Sequence, residues 1–373
     1  MRRKLAVVTV AGVLAAMVSF GVGTSPTPAD AVVSAAPLSA TDLLTHSPNV
    51  KIFDPTMSTA DIQAAVDAIA AQQVSNQFGT QRYALLFKPG TYGSAKVPLN
   101  FQVGYYTTVA GLGLSPGDVV INGSVYVRNQ CDAAGSCTAL NNFWRSLSNL
   151  TINVTTPNFG CYTGEFWAVS QAAPMRRVNV NGLVTLMDYC TGPSYASGGF
   201  IADSAFTGAT VINGSQQQWV VRNSVLDGWT NGVWNQVFSG TVGAPAQCFP
   251  AQASCGGPYT TLATSPVTRE APYLYLDAAG HYAVFVPAVQ HDSVGTTWAS
   301  GPTPGTSIPL DDFFVARPTD SVDRIKTRSH VAATCSTPRA CTSSTTPFGS
   351  SAPTRSCSAS AWPHWCRPRA MPP

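Results

Sequence analysis

The stretch from Leu85 to Leu114, LLFKPGTYGSAKVPLNFQVGYYTTVAGLGL, leaves few folds open. Short extended runs at Leu85 to Phe87, Val97 to Phe101 and Tyr105 to Ala110 are separated by Lys88-Pro89-Gly90 and closed by Gly111-Leu112-Gly113. Proline fixes φ and removes a donor, and glycine admits positive φ, so each cluster turns the chain sharply. Runs this short cannot bury themselves as isolated hairpins. They make sense as the first coil of a solenoid on which later coils stack. The expected fold is all-β, a right-handed parallel β-helix.

Further along, one theme recurs. LSNLTI around Asn149 is echoed by MRRVNV around Asn179, GFIADS around Asp203 and WVVRNS around Asn223, in steps of 30, 24 and 20 residues. That spacing suits one three-sided coil per step, with Asn or Asp at a turn where it tolerates the left-handed region. The rival is an antiparallel sandwich, but tight two-residue hairpin turns are scarce between these runs. Ahead of the coils, Ser58 with Asp61 starts a helix whose stripe is Ile62, Ala65, Val66, Ile69 and Val74. Such an N-terminal cap helix covers the open edge of a solenoid. The domain plan is therefore 1–31 signal peptide, 32–57 leader, 58–239 parallel β-helix with cap helix, 240–320 connector and 321–373 tail. The connector carries a hairpin at Tyr273 to Val286, where alternating residues flank Asp277-Ala278-Ala279-Gly280.

Arg2, Arg3 and Lys4 precede an apolar run from Leu5 to Val22, and Ala29-Asp30-Ala31 offers a cleavage site, which is the pattern of an export signal. An uncleaved anchor is the alternative. No later stretch is long and apolar enough to span a bilayer, so the expectation is a secreted protein with no membrane contact after cleavage. The net charge of +3 is too small to argue for nucleic acid. In an oxidising compartment the six body cysteines pair by proximity, Cys131 with Cys137, Cys161 with Cys190 and Cys248 with Cys255, out of about fifteen possible connectivities. No histidine lies beside them at zinc-ligand spacing, and no metal or other cofactor is called for.

From about Lys326 the chain becomes dense in Arg, Ser, Thr, Pro and Cys without periodicity, the composition of a disordered tail. Reverse translation of Val331 to Pro368, starting each codon on the third base of the old one, permits GRNLLYTPGVYQLDDPVRV, a short gap, and DTVVLGLGLATLVPT. LLYTPGVY matches LLFKPGTY, and TVVLGLGL matches TVAGLGL. The expectation is a frameshift between about Asp323 and Val331 that removed a second β-helix. Cys335, Cys341, Cys357 and Cys366 are then by-products of frame, and the uncapped C-terminal end invites self-association.

The run IQAAVDAI, LLFKPGTY and a strand ending in GLG resembles the start of pectate-lyase-like β-helix proteins. Its duplication resembles the tandem β-helices of laminarinase-type β-1,3-glucanases. The body NNFWRSLSNLTI, FWAVSQAAPMRRVNV, GGFIADS and NGVWNQVFSG resembles exported actinobacterial proteins catalogued as coagulation factor 5/8 type domain proteins or adenylyl cyclases. Nothing here supports a cyclase, because no phosphate-cradling Gly-rich loop with Lys is present.

The laminarinase resemblance implies a glycoside hydrolase acting on a polysaccharide such as a glucan. Hydrolysis usually needs two carboxylates flanking the scissile bond. The candidates are Asp188, Asp203, Asp227 and Glu165, with Asp203 also suited to a turn. Trp144, Trp167, Trp219, Trp229 and Trp234, with Tyr162 and Tyr189, cluster in the repeats, and of these Trp229, Trp234, Trp167 and Tyr189 are the candidates for stacking on sugar. Several of these have a core role as the alternative, Trp219 on a strand above all and Trp229 and Trp234 in a Gly/Asn-rich loop less so. A polysaccharide lyase would draw on Arg176, Arg177 or Arg222. A non-catalytic polysaccharide-binding β-helix stays open beside both, and a chain that lost its second solenoid would be inactive.

Overall fold

The computed structural model describes residues 39–155, 163–191, 196–214, 216–230, 235–249, 258–316 and 320–327. The segments read as signal peptide and leader start lie outside these residues, as do the tail after Thr327, Trp234, Tyr162, Cys161 and Cys255. No helix among the described residues is long and apolar enough to cross a membrane.

The coils are parallel. Strands Val50–Phe53, Tyr83–Phe87, Thr107–Gly111, Arg145–Val154, Met175–Asn181, Ala196–Ala202, Gln216–Arg222, Gln236–Ser239 and Tyr259–Leu262 follow one another through a single sheet. Successive side chains on a strand point to opposite faces, so an in-register stack puts one residue per coil into a continuous row. The inward row runs Leu85, Val109, Leu147, Met175, Ile201, Val221 and Phe238, each paired to the next. All seven are buried. These β-branched and long apolar residues suit a pleated surface buried on one side.

Arg145–Val154 and Met175–Asn181 bend midway and continue onto a second face with Val119–Tyr126, Ala205–Thr207 and Val225–Leu226. Its inward row is Ile121, Ile152, Val180, Phe206 and Leu226. The chain leaves this face at Asn122-Gly123, where strand Val119–Tyr126 pairs with Gly90–Tyr92 at its start and Leu99–Gln102 at its end. A Cβ on Gly123 would lie 2.0 Å from the Leu99 carbonyl oxygen, so only glycine lets the coils approach there. The third face stacks Glu165–Phe166, Val184–Thr185, Val211–Ile212 and Trp229–Thr230.

On the outside of the second face, asparagines form a ladder. Asn153 Nδ2 donates to Asn122 Oδ1 at 3.0 Å, Asn181 Nδ2 donates to Asn153 Oδ1 at 2.8 Å, and Thr207 Oγ1 donates to Asn181 Oδ1 at 3.2 Å. Asn153→Ala removes two of these bonds at a partly exposed site. Urea denaturation should show a loss of about 1 kcal/mol.

Helix Thr59–Gln73 begins at Ser58, whose side chain accepts from Asp61 N. It buries Ile62, Val66, Ile69, Ala70 and Gln73, and Gln63 bonds to the backbone of Asn100. The first three join the same hydrophobic cluster as the coils.

Between the first and second faces sits a buried row in the left-handed region: Asn149 (φ 54°), Arg177 (φ 55°), Asp203 (φ 51°) and Asn223 (φ 47°). The sequence reading placed Asn179 in this row. The register corrects it to Arg177, giving coils of 28, 26 and 20 residues. Asn179 pairs instead with Thr151 and Ala205 on the second face.

The segment after Gly240 first adds one more parallel strand, Tyr259–Leu262. It then forms antiparallel strands, with Tyr273–Leu276 paired to Tyr282–Pro287 and the latter to Gly305–Pro309. These lie against the coils: Leu276 N donates to Leu112 O and Tyr273 Oη to Leu114 O. Cys131 and Cys137 form a disulfide across a small hairpin. Cys190 and Cys248 are disulfide-bonded as well.

Candidate functional site

The acids singled out in the sequence are placed inside the fold or at its turns. Glu165 is fully buried, with Oε2 accepting from Ser124 Oγ and Val125 N, each at 3.0 Å. Burial pushes its carboxyl up to about 8, against the pull of those two donors. Asp188 is fully buried and organises a corner. It accepts from Arg128 Nε, Asn129 N, Cys190 N and Thr191 Oγ1. Asp203 pairs with Arg177 at 3.0 Å and accepts from the backbone and hydroxyl of Thr297. Burial raises its carboxyl to about 6, while Arg177 and Thr297 pull it down. Asp227 is exposed and accepts from Gly208 N at 2.7 Å, holding a turn.

Among the aromatics, Trp167 is fully buried and donates from Nε1 to Ala173 O at 3.0 Å. Trp229 is 8% exposed and packs edge-on against Trp219 and Phe238 in the core, so it offers little ring surface to a ligand. Tyr189 is half-buried, with its hydroxyl beside Gly214. Arg177 is buried and Arg222 holds Glu270 through two bonds, so neither stands free as a lyase base.

The structure instead draws together residues at the corner that leads into the first sheet. Tyr106 (φ 55°), Trp144 (φ 53°) and Ala172 (φ 60°) each turn the chain in the left-handed region just before a strand of that sheet. Non-glycine residues are uncommon there, and bulky aromatics more so. Continuing the pairing of Leu147 with Met175 and of Met175 with Ile201 back along the chain stacks Trp144 on Ala172 and Ala172 on Gly198. On the other side of Trp144 the column is filled. Tyr106 stacks on it at 5.3 Å and 7°, and the Arg82 guanidinium sits 3.5 Å over Tyr106. Phe78, 82% exposed, meets the Trp144 edge. On its other side the extended register places Trp144 beside Ala172, which carries only a methyl group, and Trp144 is 39% exposed.

Polar groups border that notch. Ser197 Oγ lies 2.8 Å from Ser170 Oγ and 3.0 Å from Gln171 Oε1, and Ser170 donates to Ala139 O. The Ser197 hydroxyl holds the exposed Gln171 amide by its oxygen, and its Nε2 has no partner among the described residues. An aromatic face beside an oriented amide donor matches the apolar and hydroxyl surfaces of a sugar ring. Trp144 stood in the sequence only as one of several tryptophans. Its signal was position: it precedes Arg145 as Tyr106 precedes the paired Thr107.

A family model described as rhamnogalacturonase A/epimerase, pectate lyase-like, matches residues 54–244. A curated exo-beta-1,3-glucanase from Streptomyces sp. (strain SirexAA-E / ActE) is 47% identical over 308 residues, 82% of this chain and 46% of that protein. A solved structure of sacteLam55A from Streptomyces sp. SirexAA-E has a TM-score of 0.67 at 48% identity, covering 76% of this chain and 48% of that one. A variant of the same protein in complex with glucose has a TM-score of 0.66 at 47% identity, over 76% and 47% of the two chains. The chain spans about half the length of the relatives it matches. The comparisons carry the pectate-lyase-like and glucanase parts of the sequence resemblance and give no support to the coagulation factor or adenylyl cyclase labels.

Proposed function

The chain belongs to the pectate-lyase-like family of rhamnogalacturonase A and epimerase, and from that footing we propose that it is the sugar-binding half of a secreted glycoside hydrolase acting on a β-1,3-glucan. The identity of 47% with an exo-β-1,3-glucanase carries this reading. The Trp144 corner gives it a location. The exposed part of the indole takes the apolar face of a glucose unit, Ala172 presents only a methyl group beside it, and the Gln171 amide donates to a hydroxyl.

The burial of Glu165, Asp188 and Asp203 favours binding over turnover in this chain as written. The shifted reading frame supports the view that a second β-helix belongs after about Asp323, and in our reading it supplies the acid groups. Export rests on the Arg2 to Ala31 pattern, and the helix Thr59–Gln73 serves as the cap of the first coil. Sequencing the coding DNA around Asp323 tests the frame. Restoring it should give a longer protein that releases sugar from laminarin, and an inactive restored protein would count against the hydrolase reading.

For the corner itself, affinity electrophoresis in laminarin gels should show retardation of the chain. Trp144→Ala should weaken it about tenfold, equivalent to about 1.4 kcal/mol, with an unchanged melting temperature. Unchanged retardation would remove Trp144 from the site. Losses of that size are in the range of one good aromatic contact.

A further inference from the structure

On the outer face of the first sheet, Arg176 and Arg222 lie in one row, separated by Ala202. Because alanine occupies the rung between them, both guanidinium groups reach the same ground. Arg176 lies 4.5 Å and Arg222 5.5 Å over the ring of Phe200. Both also face one carboxylate, Glu270 of the segment laid against the coils, which is 4% exposed. The two do not share it equally. Arg222 Nη2 bonds both oxygens at 2.8 and 2.9 Å, whereas Arg176 approaches only to 3.8 Å.

Two cations facing one anion leave a unit of positive charge. Arg176 makes no hydrogen bond among the described residues and keeps 34% of its side chain exposed. Arg222 Nε is buried and unpartnered. The adjoining Arg177 and Asp203 neutralise each other and do not absorb the excess. A guanidinium fork with unspent donors, held over an aromatic ring beside a second guanidinium, is built for a planar or tetrahedral oxyanion.

We propose that Arg176 and Arg222, over Phe200, form an oxyanion-binding site on the first sheet, distinct from the Trp144 corner. The oxyanion is a carboxylate or sulfate group, carried on an acidic saccharide or free in solution. Arg176 supplies the fork, and Arg222, anchored by Glu270, adds the second charge. An acidic polymer bound here would lie on the outer sheet face, further along strand Ala196–Ala202 than Gly198.

The test uses the full chain at fixed ionic strength, with sodium chloride as the reference. Inorganic sulfate and an oligouronide are each titrated by calorimetry. Arg176→Gln should lower the affinity for both by about tenfold or more, since one charge-assisted fork is removed. Binding of sulfate but not of the oligouronide supports the site and assigns it to free ions. Equal affinity in wild type and Arg176→Gln, or no binding of either probe to wild type, overturns the proposal. Should the variant fail to fold, phenylglyoxal labelling of the wild type decides. Sulfate should protect the peptide containing Arg176, and unaltered labelling would overturn the site. A neutral β-1,3-glucan oligosaccharide should not compete, and its displacement of sulfate would also overturn a separate site.

Discussion

Asp203→Ala should destabilise the protein by about 3–5 kcal/mol, measured by urea denaturation at pH 7. The size follows from what is left behind. Arg177 is 3% exposed, and its Nη1 sits 3.0 Å from Asp203 Oδ2. The same guanidinium bonds Asn149 Oδ1, Thr303 Oγ1 and the Leu114 carbonyl, and it lies 4.3 Å over Tyr273. It cannot swing out to water without disrupting both the left-handed row and the segment laid against it. Removing the carboxylate thus strands a buried charge, which is the expensive way to break a pair. It also frees the Thr297 amide and hydroxyl, while the Trp298 indole keeps its bond to the Asp203 carbonyl. Arg177→Met combined with Asp203→Leu should lose less than Asp203→Ala alone, because no charge is then left unpaired. A loss under about 1 kcal/mol for Asp203→Ala would mean that water reaches Arg177.

That row also shows how far the sequence could be read. Asn149, Asp203 and Asn223 were visible because Asn and Asp are common where φ is positive. Arg177 was not, because arginine has no preference for that region and sits there through its partners. The repeat was therefore fitted to Asn179, two residues away. The inward rows were partly legible: Leu99 to Gln102 alternates buried and half-buried residues, whereas Leu85 to Phe87 is apolar and buried throughout and Met175 to Val180 breaks the period at its bend.

The site was harder. Tryptophan beside a carboxylate suggested sugar at Glu165 and Asp227, yet Glu165–Phe166 is a two-residue strand with both side chains buried. A strand that short has no alternation from which to judge its facing. Trp144 binds nothing in the sequence pattern around it. Its neighbours Tyr106 and Ala172 come from other coils, a relation that exists only once the coils are stacked in register.

The second large effect concerns pH. Glu165 stands in the interior with Ser124 and Val125 N bonded to Oε2 and, among the described residues, no partner for Oε1. Its ordinary value is 4.5, and burial lifts it to about 8 in the folded chain. Between those limits the folded protein holds a proton that the unfolded chain releases, so folding stability falls as pH rises. This contribution is fully present below about pH 4.5 and is lost as pH climbs through about 8. From about pH 5 to pH 8 the loss is on the order of 3 kcal/mol. Glu165→Gln removes the titration and keeps an oxygen for Ser124 and Val125. Measured by urea denaturation across that range, the variant should follow a flatter profile than wild type and overtake it toward alkaline pH. The orphan Oε1 position explains why the neutral acid is tolerated, because the proton rests there without disturbing the two bonds at Oε2. Parallel profiles for wild type and Glu165→Gln would show that the carboxylate is solvated or paired in the folded state. Glu165 would then return as a candidate for chemistry.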